Sequence, residues 1–228
     1  MARTPTFFVL KYDAVPDELL VSEDLSWIEK HQWVPGEFMP GQAVVVLSGK
    51  CVFRFYDKEG YGYKTLEKRM LSPGDGLYGS RDNFPEANGN FNLKFKINGE
   101  DTHHKIKGVN TDSENANGRA DYGFDVKEPW MLASLEDDTQ VVCIYNNENA
   151  PHECYDSMYL PAGGSKTIDV EIGQLLCVMK GTCSFNGVAK ESKDWIGVDE
   201  NKPVVIESTD SCVIGAFKNS TPYSNWYI

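Results

Sequence analysis

From Trp33 onward, short apolar runs follow one another, broken by Pro-Gly, Ser-Gly, Pro-Gly-Asp and Asn-Gly steps. Runs this short between turn formers predict strand after strand with tight connections. Residues 6–11 read as an edge strand. Ser22-Glu23-Asp24-Leu25-Ser26-Trp27-Ile28-Glu29-Lys30 has an N-cap residue, acids in the first turn and apolar residues three apart, which predicts one short helix. The class predicted is all-β. Phe91, Leu93, Phe95 and Ile97 alternate with polar residues and run into Asn98-Gly99, a strong hairpin signal. A two-residue turn there sets Lys96 against Asp101, Lys94 against His103 and Leu93 against His104.

The apolar pattern also occurs twice. Gln42, Val46, Gly49, Cys51 and Phe53 recur at the same offsets as Gln174, Val178, Gly181, Cys183 and Phe185. In each copy an apolar strand meets a Gly and restarts, which is a turn between two packed strands. Further along, Trp130-Met131-Leu132-Ala133-Ser134 echoes Val204-Val205-Ile206-Glu207-Ser208, and each leads through an acidic turn into a second apolar strand. The chain therefore reads as an internal duplication. The main difference is an insertion of about residues 80–128 in the first copy, which carries the hairpin and then a polar, acidic stretch.

Composition narrows the functions. With 22 Lys+Arg against 34 Asp+Glu the net charge is -12, which repels phosphate backbones and anionic lipid surfaces, so neither nucleic acid nor membrane is expected as partner. The apolar run Phe7-Phe8-Val9-Leu10 is too short for a signal peptide or a spanning helix, so the expected compartment is cytoplasmic. The 6 cysteines lie mostly inside apolar strands with no C-x-x-C, which suits reduced, buried thiols.

Two copies of apolar strand, Gly, strand, Gly-Asp or Lys-Asp turn and a closing strand pair resemble the cupin superfamily, specifically a bicupin. Leu160-Pro161-Ala162-Gly163 and Pro35-Gly36 are similar to the family's entry into its first barrel motif. The resemblance implies two tandem double-stranded β-helix (jelly-roll) barrels. Residues 1–32 would pack on them, 33–150 would form the first, and 151–228 the second with an aromatic tail. It also implies where a metal would be sought. Counting back from Gly49 and Gly181 puts Gln42 and Gln174 where metal-using relatives carry a Glu, and the segments before them hold no His pair. Neutral amides without imidazoles do not make an iron, manganese or zinc site, so no metal and no cofactor is expected. Residues 72–79 also resemble the start of the phosphate cassette of cyclic-nucleotide-binding domains, but Ser80 stands where that cassette needs Glu.

Other chemistry is sparse. His31 ends the short helix, His103 and His104 point to opposite faces of one strand, and His152-Glu153-Cys154 reads as a triplet in the linker between barrels, without chelating geometry. No Gly-x-Ser-x-Gly elbow is present, and no catalytic residue is assigned. The candidate ligand-binding residues are Gln42 and Gln174 with Arg54, Tyr56, Tyr63, Tyr78 and Arg81 at the mouth of the first barrel. Their guanidinium and phenol groups suit a small polar or sugar-like ligand. The expected role is binding or assembly, with a small ligand, a protein partner or a second copy of the chain. The alternative is a cupin-type enzyme, either a sugar-type isomerase or epimerase or an oxygenase with non-standard metal ligands.

Overall fold

The computed structural model describes residues 6–14, 42–59, 62–79, 91–106, 108–110, 124–126, 130–145 and 152–219. In the first half the strands are β1 (Thr6–Tyr12), β2 (Ala43–Ser48), β3 (Cys51–Glu59), β4 (Gly62–Leu71), β5 (Gly76–Tyr78), β6 (Phe91–Ile97), β7 (Glu100–Ile106), β8 (Gly108–Asn110), β9 (Phe124–Val126), β10 (Trp130–Ser134) and β11 (Thr139–Tyr145). The second half has β12 (His152–Leu160), β13 (Ser165–Val170), β14 (Leu175–Lys180), β15 (Thr182–Phe185), β16 (Val188–Glu191), β17 (Trp195–Gly197), β18 (Lys202–Ser208) and β19 (Cys212–Asn219). No helix occurs among the described residues; the short helix expected at 22–30 lies outside them.

In the second half the sheets run β12-β19-β14-β17 and β13-β18-β15-β16, all antiparallel. Counting its strands one to eight, that is 1-8-3-6 facing 2-7-4-5, the order of a double-stranded β-helix. The first half repeats it. β1-β11-β2-β5 is again 1-8-3-6, extended by the β6-β7 hairpin, and β10-β3-β4 is 7-4-5. Among the described residues no strand takes the second place of the first half.

Alternation along each strand sorts the side chains into three layers. Val44, Val46, Phe53, Leu71, Leu77, Leu93 and Phe95 fill the first barrel, where Phe53 and Phe95 meet edge-on at 5.4 Å. Leu176, Val178, Phe185, Val204, Ile206 and Ile214 fill the second. The intervening positions make a third cluster from both halves: Ala43, Val45, Leu47, Tyr78, Val142 and Ile144 with Cys154, Cys177, Val213 and Phe217. The two 1-8-3-6 sheets thus pack face to face through their outer sides. Each buried Phe contributes roughly 1.5–3 kcal/mol.

The duplicated turns keep their conformation. Gly49 and Gly181 have φ of 74° and 82°, and Gly74 is matched by Lys193 at φ 85° and 79°. An Asp follows in both: Asp75 Oδ2 accepts from Ser72 N at 2.8 Å, and Asp194 Oδ2 from Glu191 N at 3.0 Å. The inserted hairpin has the expected register, Leu93 opposite His104, Lys94 opposite His103 and Lys96 opposite Asp101, with Asn98 and Gly99 both at positive φ.

Candidate functional site

Register brings three polar side chains together at one end of the second barrel. Glu153 in β12 pairs with Lys218 in β19, and the β19–β14 register, continued by one residue, sets Gln174 beside Lys218. Lys218 continues the alternation of Ile214 and Ala216, both in the barrel core, so the row Glu153–Lys218–Gln174 faces inward. The backbone N–H of Val198, just past β17, donates to the carbonyl of Gln174 at 3.2 Å. Glu153 is fully buried, and Lys218 Nζ lies 3.5 Å from its Oε1.

Burying a carboxylate is costly without an opposite charge beside it, and the partly exposed Lys218 ammonium supplies one from the barrel mouth. Gln174 Oε1 accepts from Glu171 N at 2.9 Å, which leaves the amide NH2 as a donor at the rim. Tyr155, packed partly on the same core, has its phenol pKa pushed up to about 12, first by burial and then by Asp156, Cys154 and Glu171. It stays a neutral donor at ordinary pH. The mouth therefore presents an ammonium and an amide, with the buried Glu153 carboxylate behind them, above an apolar core.

The residues expected to bind ligand are placed unequally. Gln42 is buried just before β2, in line with Val44 and Val46, and its carbonyl accepts from Gly79 N at 2.9 Å. It stands in the first barrel where Gln174 stands in the second. Arg54, Tyr56 and Tyr63 lie on β3 and β4, whose backbones alone are described there, and Arg81 lies outside the described residues. Tyr78 sits in the seam between the barrels and not at a mouth. It is wholly buried, its hydroxyl is bonded to Ser157 Oγ, and that hydroxyl donates to Gly74 O at 2.7 Å. Burial, ahead of neighbouring Cys154, holds the Tyr78 phenol well above the usual tyrosine range.

The hairpin contributes to this seam. Lys94 Nζ lies 5.0 Å above the Tyr78 ring, and Lys96 Nζ meets both carboxylate oxygens of Asp156 at 2.5 and 2.7 Å. At the other end of the seam Phe7 stacks on Trp195 at 5.4 Å, and Trp195 meets Phe217 at 4.8 Å.

His152-Glu153-Cys154, expected in a linker, begins β12, the first strand of the second barrel. Alternation separates the triplet: Cys154 and His152 face the seam, and Glu153 faces the barrel. Glu153 and Lys218 were legible only as far as that alternation; their pairing depends on strands one and eight being neighbours. Among the described residues no group of three or more His, Cys, Asp or Glu converges on one point. The metal of cupin enzymes does not fit the second mouth, because an ammonium has no lone pair to give and repels a cation, leaving one carboxylate and one amide. All six cysteines are free and buried. No helix among the described residues is long and apolar enough to cross a membrane.

No protein-family model matches the chain, and no curated protein does. Among solved structures it is similar to YhhW from Escherichia coli, at 10% identity and TM-score 0.35 over 79% of this chain and 71% of that one. It is also similar to YhaK from Escherichia coli, at 9% identity and TM-score 0.35 over 82% and 79%. A third is quercetin 2,3-dioxygenase from Acinetobacter baumannii, at 11% identity and TM-score 0.33 over 79% and 64%. The strand order in both halves defines the class: a two-barrel, all-β protein with a cupin-like fold.

Proposed function

We propose that the protein is a metal-free, double-barrel binding protein that takes a small polar or sugar-like ligand at the mouth of the second barrel. The observation that carries this reading is the row Glu153–Lys218–Gln174, a set of donors and one acceptor standing over a barrel filled with apolar side chains. Lys218 and the Gln174 amide would donate to hydroxyl or carboxylate oxygens, and the buried Glu153 would hold the ammonium in place.

The test is a panel of monosaccharides, polyols and hydroxy acids, followed by thermal shift and by NMR titration of the intact protein. The account predicts a saturable response to at least one member, weakened about tenfold in Gln174→Ala, the loss of a hydrogen bond worth about 1.4 kcal/mol. No response of the native protein to any member would sink the binding reading. Conversion of the bound ligand during the titration would replace it with the sugar-isomerase reading.

A further inference from the structure

The strand that supplies Glu153 is broken by one extra residue. Along β12, Cys154 pairs with Phe217 and Asp156 with Ala216, so Tyr155 has no counterpart on β19. Such a bulge reverses the alternation beyond it. Met158 and Leu160 lie in the core of the second barrel. Carried back from Met158–Ile214 without the extra residue, the register would set Cys154 against Lys218 and turn Glu153 to the seam. The bulge is what lets one strand supply both the apolar core and the buried carboxylate of the mouth.

Contacts from both barrels converge on Asp156, the residue after the extra one. Within β12, Ser157 N donates to Asp156 Oδ1 at 2.8 Å, and Cys154 Sγ donates to Asp156 O at 3.4 Å. From the first barrel, Lys96 Nζ donates to both carboxylate oxygens at 2.5 and 2.7 Å. Only 13% of the Lys96 side chain and 24% of that of Asp156 are exposed, so water competes for this pair far less than for a surface salt bridge. One residue on, Ser157 Oγ is bonded to the Tyr78 hydroxyl and to Gly74 O. The first barrel thus grips β12 at two consecutive residues just past the bulge. Lys96 is itself held by the hairpin: it lies opposite Gly76, and the turn after it is tied down where Asn98 N donates to Asp75 Oδ1 at 2.8 Å.

We propose that Lys96 is a positioning residue for the ligand mouth of the second barrel: through Asp156 it fixes the bulge that sets Glu153 against Lys218. The inserted hairpin of the first barrel then shapes the site of the second. This rests on the binding reading for the use of that row, but its test needs no ligand, so the two fail separately.

Trace acetylation of the full-length protein with acetic anhydride, read by digestion and mass spectrometry, reports the Glu153–Lys218 pair. An ammonium held against a carboxylate must leave it before it can be acylated. In Lys96→Met the Lys218 rate should rise about tenfold, the size of one charge-assisted hydrogen bond. Asp156→Asn, which keeps the volume, should give the same rise and decides the matter should Lys96→Met fail to fold. Lys96→Arg should keep the native rate. Lys180, whose Nζ donates to Gln140 Oε1 at 3.0 Å between β14 and β11, should react at its native rate throughout. An unchanged Lys218 rate in Asp156→Asn would overturn the proposal. So would a parallel rise at Lys180 in that variant, which would make the Lys96–Asp156 pair a general tie between the barrels and nothing more.

Discussion

The two barrels share a strand order, their glycine turns and a glutamine in the same row, yet they differ wherever the frame does not dictate the residue. Gly49 and Gly181 hold positive φ because the connection between strands three and four demands it in both copies. Around them the copies diverge. The first has Thr139 where the second has Cys212, and among the described residues only the second sets a charged pair beside its glutamine. The first spends its variation on the outside, where the hairpin widens one sheet and reaches the other barrel through Lys96 and Asp156. Duplication kept what folds a barrel and released what stands at its ends.

The seam sharpens the comparison, because its two ends are related by the duplication and are chemically opposite. One is an aromatic stack, Phe7–Trp195–Phe217; the other is a hydrogen-bonded set, Tyr78–Ser157–Gly74. Phe217→Ala should have the largest effect, about 3–5 kcal/mol of lost stability by urea unfolding, because it empties the aromatic end. Next, Gly181→Ala should cost about 4 kcal/mol and Gly49→Ala about 2. Both force an L residue into positive φ, but the new methyl at 181 meets the Ser211 carbonyl at 2.1 Å, whereas at 49 it meets a Thr hydroxyl that can turn away. Equal costs would contradict the claimed difference between the copies. Tyr78→Phe should cost about 1–2 kcal/mol, since Ser157 keeps its bond to Gly74 O when the phenol is lost.

The smallest effect belongs to His152, which is buried on the seam side of β12. Burial lowers its pKa below the ordinary value of 6.5, so the folded state binds fewer protons than the unfolded chain around and below that pH. Its contribution is present above pH 6.5 and is lost as the pH falls through it. His152→Gln should flatten the stability profile there; an unchanged slope would place His152 outside the seam.

Much of the fold was legible in the sequence, and for a physical reason. Strand alternation, glycine turns and an Asn-Gly hairpin are local signals, so the all-β class, the duplication and the Leu93–His104 register follow from neighbours along the chain. What stayed hidden depends on distant strands. Tyr78 looks like a residue of a barrel mouth until β5 is seen to be packed against the second barrel, where the phenol has no access to solvent. Glu153 looks like one of three adjacent ligands until β12 separates it from His152 and Cys154, and Lys218 has no meaning for it until β19 lies alongside. Gln42 and Gln174 were visible because the repeat marks them twice; the partners at their sides belong to each barrel alone.

The central claim is that a cupin-like pair of barrels is used here without a metal, and metal retention tests it most directly. Protein purified without a histidine tag would be incubated with iron, manganese, nickel and zinc in turn, desalted and analysed for metal per chain. The account predicts far less than one equivalent of each. Near-stoichiometric retention of any one would contradict it, and would move the search for ligands to residues beyond the Glu153–Lys218–Gln174 row.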